Sequence, residues 1–162
     1  MSSTAATVHT TINAEKAAAF GHIVPIDLTS IFTGYGPLPS VSKTLDATGP
    51  WDAAGRSRTV VFSDGSSATE ALTGYDFPNG FTYRITGFTG VLKYLASEAR
   101  GQWWFESAAG GKTTAVRWQY EFVSRFKLLK PLVSLFTQRL WRGYMTQALS
   151  LSKGQVETLP RE

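Results

Sequence analysis

Cysteine is absent from all 162 residues, which excludes disulfides, thiolate metal sites and cysteine nucleophiles. Histidine is nearly as scarce. His9 and His22 are the only two, and they fall in different predicted elements. There is no H-E-x-x-H, no carboxylate cluster at metal-ligand spacing and no G-x-S-x-G nucleophile turn. His22 reads as a helix C-terminal cap, so neither a metal nor a cofactor is expected. Long apolar runs are also missing: no stretch reaches about 18 uninterrupted apolar residues, so no stable membrane insertion is expected. The first residues, Met-Ser-Ser-Thr-Ala-Ala, lack the basic and apolar segments of a signal peptide, and with the absent cysteine this gives a cytoplasmic placement as the expectation. Charge is sparse at 17%, and the net +4 reads as spread along the chain, so no nucleic-acid partner is expected. The length suits a single domain over residues 1–162, as a monomer or homodimer.

Aromatic residues, by contrast, are abundant at 13%. Wide, stiff side chains suit a thick core, or one that is not completely filled. The stretch 126–156 organises the rest. Leu129, Leu132, Val133, Phe136, Leu140, Trp141, Tyr144, Met145, Ala148 and Leu149 follow the i, i+3, i+4, i+7 spacing of one helical face. Pro131 belongs near the helix start and Gly154 suits its C-terminal cap.

Upstream, residues 4–12 read as a first strand, followed by an alanine-rich short helix over 14–22 with Asn13 as its cap. A second short helix over 27–32 has Asp27 as its cap. The loop 33–39, punctuated by Gly34, Gly36, Pro37 and Pro39, lacks the flanking elements of a phosphate-cradling loop. Six strands are predicted at 41–51, 56–63, 67–77, 81–88, 98–108 and 113–124, with Asp64-Gly65 and Gly110-Gly111 as two-residue hairpin turns. The order of strand, two small helices, six antiparallel strands and long helix gives an α+β domain in which a curved sheet grips the C-terminal helix.

Alternation sorts the strand residues by face. Val116, Trp118, Tyr120 and Phe122 share one row, Trp103 and Phe105 another, and Phe81, Tyr83 and Ile85 a third. Arg84, Glu106, Arg117 and Glu121 fall on the opposite face, read as solvated cross-strand pairs. Glu70 keeps company with Leu72, which directs a carboxylate toward the helix side. Buried and ionised, it needs a partner, water or a raised pKa. It is either hydrogen-bonded to backbone or tyrosine at the sheet rim, or it is a polar anchor or general acid/base inside an apolar cavity.

The segments Gly49-Pro50-Trp51, Glu70-Ala71-Leu72, Phe81-Thr82-Tyr83, Gly101-Gln102-Trp103-Trp104-Phe105, Val116-Arg117-Trp118-Gln119-Tyr120 and Leu140-Trp141-Arg142-Gly143-Tyr144-Met145 resemble the polyketide cyclase/dehydrase and lipid-transport-like proteins of the START/Bet v 1-like superfamily. The likeness covers residues 8–151. It implies a helix-grip fold, with about seven strands wrapped round the C-terminal helix, two short helices after strand one, and a hydrophobic cavity between sheet and helix. The expected partner is a hydrophobic small-molecule ligand, lipid- or polyketide-like, walled by Phe81, Tyr83, Trp103, Phe105, Trp118, Tyr120, Phe136, Leu140 and Tyr144. Residues 34–39 and 90–96 are expected at its entrance. The alternative is a cyclase, aromatase or dehydratase using Glu70 with Tyr83 as an acid/base pair.

Overall fold

In the computed structural model, residues 2–160 are described. Seven antiparallel strands form one sheet in the order β1-β7-β6-β5-β4-β3-β2. They span β1 Ser3–Ile12, β2 Val41–Leu45, β3 Ser57–Phe62, β4 Ser67–Asp76, β5 Gly80–Thr86, β6 Ala96–Ala108 and β7 Thr113–Ser124. The first and last strands of the sequence pair with each other, Val8 opposite Trp118. The sheet thereby curls, and one continuous C-terminal helix lies in its concave face. This helix comprises α3 (Lys130–Phe136), a π turn (Thr137–Trp141) and α4 (Arg142–Glu157), after a 3₁₀ turn at Lys127–Leu129. Two short elements close one end, α1 (Lys16–Ile23) and a 3₁₀ turn (Leu28–Ser30), and a single helical turn, α2 (Leu92–Leu95), precedes β6. The fold is the α+β helix grip.

Alternation places the faces as the sequence predicts. Val116, Trp118, Tyr120 and Phe122, Trp103 and Phe105, and Phe81, Tyr83 and Ile85 are all buried on the inner face. Directly opposed rings form a stacked row across three strands: Phe81 and Trp103 lie 5.7 Å apart, and Trp103 and Trp118 4.5 Å apart. The outer face carries the cross-strand pairs, with Glu98 accepting from Arg84 and Arg100, and Arg117 lying 4.1 Å over the Trp104 ring.

Several boundaries differ from expectation, each for a local reason. β2 ends at Leu45 rather than running to residue 51, because Asp46 turns into the left-handed region (φ 56°) and Pro50 has no N–H to pair. Asn13 does not cap α1. The helix starts at Lys16 with Glu15 at the cap position and no side-chain cap, while the Asn13 N–H donates to Glu157 Oε2 at 2.7 Å. Asp27 does cap its turn, accepting from the Thr29 N–H. Gly154 is interior to α4, which runs on to Glu157.

Neither hairpin turn has two residues. Ala108 pairs with Thr113, leaving a four-residue loop. At the other, the Phe62 N–H donates to Ser66 O and the Gly65 N–H to Phe62 O, with Gly65 at φ 87°. This is a three-residue loop with glycine at the left-handed position. The difference matters, because one residue of slip would change which β3 residue opposes each β4 residue. In the observed register Arg58 stands directly opposite Glu70.

Candidate functional site

A cavity of about 110 Å³ lies between the inner sheet face and the helices. Its wall is apolar almost throughout. Phe81, Tyr83, Trp103, Trp118 and Tyr120 line it from β5, β6 and β7, and Trp141 lines it from the C-terminal helix. The segment after α1 adds Ile26, Leu28, Ile31 and Phe32, and the short α2 turn adds Leu92. Within this wall sits one ion pair. Arg58 Nη2 donates to Glu70 Oε1 at 2.9 Å, and the two side chains are only 11% and 10% exposed. The flat guanidinium lies 4.1 Å over the Trp51 ring, which supplies a second contact for the cation.

Electrostatics follow from burial. Removal from water pushes the Glu70 carboxyl above its ordinary value, and the charge and hydrogen bond of Arg58 reverse part of that rise. Burial drives the Tyr83 and Tyr120 hydroxyls up as well, and proximity to Glu70 adds to both shifts. Both tyrosines therefore remain protonated at neutral pH. The Tyr83 oxygen accepts from Trp118 Nε1–H at 2.8 Å. Its ring folds flat over Gly101 on the neighbouring strand, where a Cβ would lie 1.9 Å from a ring carbon. No side chain larger than glycine fits there while Tyr83 holds this position. The Tyr120 hydroxyl makes no hydrogen bond among the described residues. Two other donors in the wall, Arg58 Nε–H and Trp141 Nε1–H, are buried with no partner among those residues.

Of the residues named from the sequence, Glu70, Phe81, Tyr83, Trp103, Trp118 and Tyr120 come together around this cavity; Phe105, Phe136, Leu140 and Tyr144 do not line it. Phe105 is covered by Phe20 of α1, with ring centres 5.1 Å apart. Phe136 stands behind the wall, against Phe122 and Trp141. The π turn inserts one extra residue per turn, and Trp141 rather than Leu140 takes the wall position. Tyr144 is buried but turned the other way. Its hydroxyl accepts from the Gly34 N–H at 2.9 Å and donates to Pro39 O at 2.8 Å. The loop 33–39 is thereby fastened to the helix, with Tyr35 occupying the space left open by Gly143, and none of its residues reaches the cavity. Of the two expected entrance segments only the second contributes, through Leu92.

Reading the sequence missed Arg58, Trp51 and the apolar residues between Ile23 and Phe32 as parts of the wall. Arg58 had a usable signal, since it alternates in step with Val60 and Phe62 on β3 and so faces inward. Trp51 had none, because it reaches the wall from an irregular loop.

Comparison with known proteins agrees with this architecture. Solved structures of similar shape include Ara h 8.0201 (TM-score 0.66, 17% identity, covering 98% of this chain and 100% of that one). XoxI from Bacillus cereus superposes with a TM-score of 0.68 at 14% identity, covering 98% and 99% of the two chains. The major latex-like protein 151 of Panax ginseng gives 0.69 at 13% identity over 98% and 99%. Identities this low carry the fold alone. No curated protein matches in sequence. The family profile described as "Polyketide cyclase / dehydrase and lipid transport" matches residues 3–157, nearly the whole chain, and the chain belongs to that family.

Proposed function

We propose that the protein binds a hydrophobic or aromatic small molecule, lipid- or polyketide-like, in the cavity between the sheet and the C-terminal helix. The observation that carries this reading is the polar group inside the apolar wall. A buried Arg58–Glu70 pair and a tyrosine hydroxyl facing open space are costly unless something uses them. Ligand pockets combine such a wall with a few placed polar groups. The unsatisfied buried groups of the wall are donors, Arg58 Nε–H and Trp141 Nε1–H, so the ligand's buried end carries acceptor oxygen. At about 110 Å³ the cavity as it stands is somewhat smaller than one benzene ring requires. A cavity of roughly 150 Å³ holds benzene, and ordinary ligand pockets begin near 300 Å³. A larger ligand therefore displaces part of the wall. Leu92 and Phe88 form the most easily moved part, since they sit on a single helical turn and its connecting segment.

Native mass spectrometry of the purified protein, followed by extraction of whatever is bound, tests this directly. The expected result is a retained oxygenated hydrophobic molecule, or uptake of a hydrophobic fluorescent probe that Ala68→Trp abolishes by filling the cavity. A folded protein that holds nothing and takes up no probe refutes the proposal.

The second reading is catalysis, a cyclase, aromatase or dehydratase step with Glu70 and Tyr83 as the acid/base pair. The raised Glu70 pKa favours it, because a carboxyl poised above its usual value can both take and return a proton. In this arrangement Glu70 is the base. Tyr83, held protonated and accepting from Trp118, serves as hydrogen-bond donor to a developing oxyanion. Glu70→Gln would then abolish turnover of a polyketide-like substrate and leave binding nearly intact. Unchanged turnover rejects this assignment.

A further inference from the structure

The stripe read from the sequence is not the only apolar row on the C-terminal helix. A second row points into solvent: Leu128 is 93% exposed, Leu132 55% and Leu135 58%. Leu132 and Leu135, three residues apart, share one side of the helix, Arg139 continues the row, and Leu128 precedes it on the 3₁₀ turn. Phe126, just before them, is also exposed at 63%. The α2 turn lies alongside, because the Arg125 N–H donates to Leu95 O and its guanidinium reaches Lys93 O. That turn exposes Val91 and Tyr94. Six of the ten exposed large hydrophobics among the described residues therefore gather at one end of the molecule, whereas the other four are scattered. Isolated exposed leucines need no explanation, but a contiguous group does.

The charge at this end has one sign. From Arg125 to Arg139 there are four basic residues and no acidic one. Around the apolar group stand Lys93, Arg125, Lys127, Lys130 and Arg139. The nearest carboxylates in sequence, Glu98 and Glu121, are already held on the outer sheet face, Glu98 by Arg84 and Arg100 and Glu121 by Arg100 and Ser3.

We infer that this end is a docking surface for an anionic lipid bilayer, with Phe126, Leu128, Leu132, Leu135, Val91 and Tyr94 entering the headgroup region and the lysines and arginines pairing with lipid phosphates. Apolar side chains rimmed by cations are the signature of a helix that lies in a membrane interface. A second copy of the chain is a poor occupant, because it would bring a patch of the same charge. Nucleic acid would satisfy the cations but leave the leucines in water. No helix among the described residues is long and apolar enough to span a bilayer, so the contact is peripheral. The surface adjoins the cavity through α2, whose Leu92 lines the cavity wall while Val91 and Tyr94 on the same turn face solvent. Docking would place that movable turn against lipid. The surface itself stands independently of the ligand-binding proposal.

Flotation of the full chain with vesicles of phosphatidylcholine alone, and with about a third phosphatidylglycerol, tests the inference. Binding to the anionic vesicles should exceed binding to neutral ones by about tenfold or more. Leu128→Glu with Leu132→Glu, both at exposed positions, should reduce it about tenfold, with the thermal midpoint and probe uptake unchanged. Lys127→Gln with Lys130→Gln should weaken it less and lower its salt dependence. No flotation on anionic vesicles at low salt overturns the inference. So does binding that vanishes with salt yet ignores the leucine substitutions, which would mark a site for an acidic macromolecule instead. Loss of probe uptake with flotation intact would count against the cavity proposal alone.

Discussion

The two halves of the C-terminal helix are packed in opposite ways. α4 buries Tyr144, Met145, Ala148, Leu149, Ser152 and Val156, and its Tyr144 hydroxyl fastens the loop 33–39. α3 buries only Val133 and leaves Leu132 and Leu135 in water. The π turn between them puts Trp141 into the cavity wall. The sheet grips the second half as a domain core grips any helix, whereas the first half keeps one side in water beside the cations, and neither α3 nor α4 lines the cavity. Stability is thus concentrated at one end of the molecule. The features that stability does not account for lie away from α4: an unfilled space, a buried ion pair and orphan donors between sheet and loops, and exposed leucines on α3.

The largest expected effect lies at the open end. Arg58→Leu removes the partner of a buried carboxylate and should destabilise the protein by about 3–5 kcal/mol at neutral pH, whereas Arg58→Leu with Glu70→Leu should recover most of that loss. Equilibrium urea unfolding of the single and double variants measures both. A double variant as unstable as the single one would mean that the pair is there for packing, and the contrast between the two ends would fail. The same carboxyl carries a pH signature. Its folded pKa lies above its unfolded value, so the folded state takes up the proton first. Its contribution to stability is fully present below the ordinary carboxyl value of 4.5 and is lost as pH rises through the folded pKa. Unfolding midpoints followed from neutral pH down to about 4.5 should show the wild type gaining relative to Glu70→Gln. A constant difference between the two would contradict the raised pKa.

At the closed end the expected cost comes from packing. Leu149 is 2% exposed, and Leu149→Ala should cost about 2–4 kcal/mol through lost contacts and a residual void. Tyr144→Phe leaves the Gly34 N–H and Pro39 carbonyl without their shared partner and should cost about 1–2 kcal/mol. Amide exchange in residues 33–39 should accelerate with it, while probe uptake stays unchanged, since no residue of that loop touches the cavity. Altered probe uptake would show that the closed end also controls access.

Most of the fold was legible because its signals are local and periodic. Period-two alternation gave the inner rows of β5, β6 and β7, and helical spacing gave the C-terminal helix. The site was legible only where it depends on those periods. Glu70 could be directed inward by parity alone, but its partner depends on register, and register depends on the turn. A two-residue turn at Asp64-Gly65 would set Glu70 opposite Thr59, a residue of the outer face; only a three-residue turn sets two inward residues, Arg58 and Glu70, against each other. Requiring the faces to agree would have identified both the turn and the ion pair. Leu140 was misplaced for a different reason, whereas Tyr144 keeps its place on the stripe and is drawn from the cavity by the loop its hydroxyl fastens. The π turn advances the stripe by one residue, and a sequence scan at fixed period has no means of registering that.

The smallest expected effect is the one that bears most on the overhang. Leu132 is 55% exposed on a helix turn whose only fully buried side chain is Val133, so Leu132→Gln should change stability by less than about 0.5 kcal/mol. Glutamine propagates a helix about as well as leucine, so propensity does not obscure the comparison. Urea unfolding of this variant beside Leu149→Ala sets the two halves of one helix against each other with a leucine replaced in each. A loss comparable to that at Leu149 would show that the first half is also gripped by the fold. A null effect would leave a leucine that folding does not require, in water, beside Lys130 and Arg139, and its presence would then have to be explained by something outside the chain.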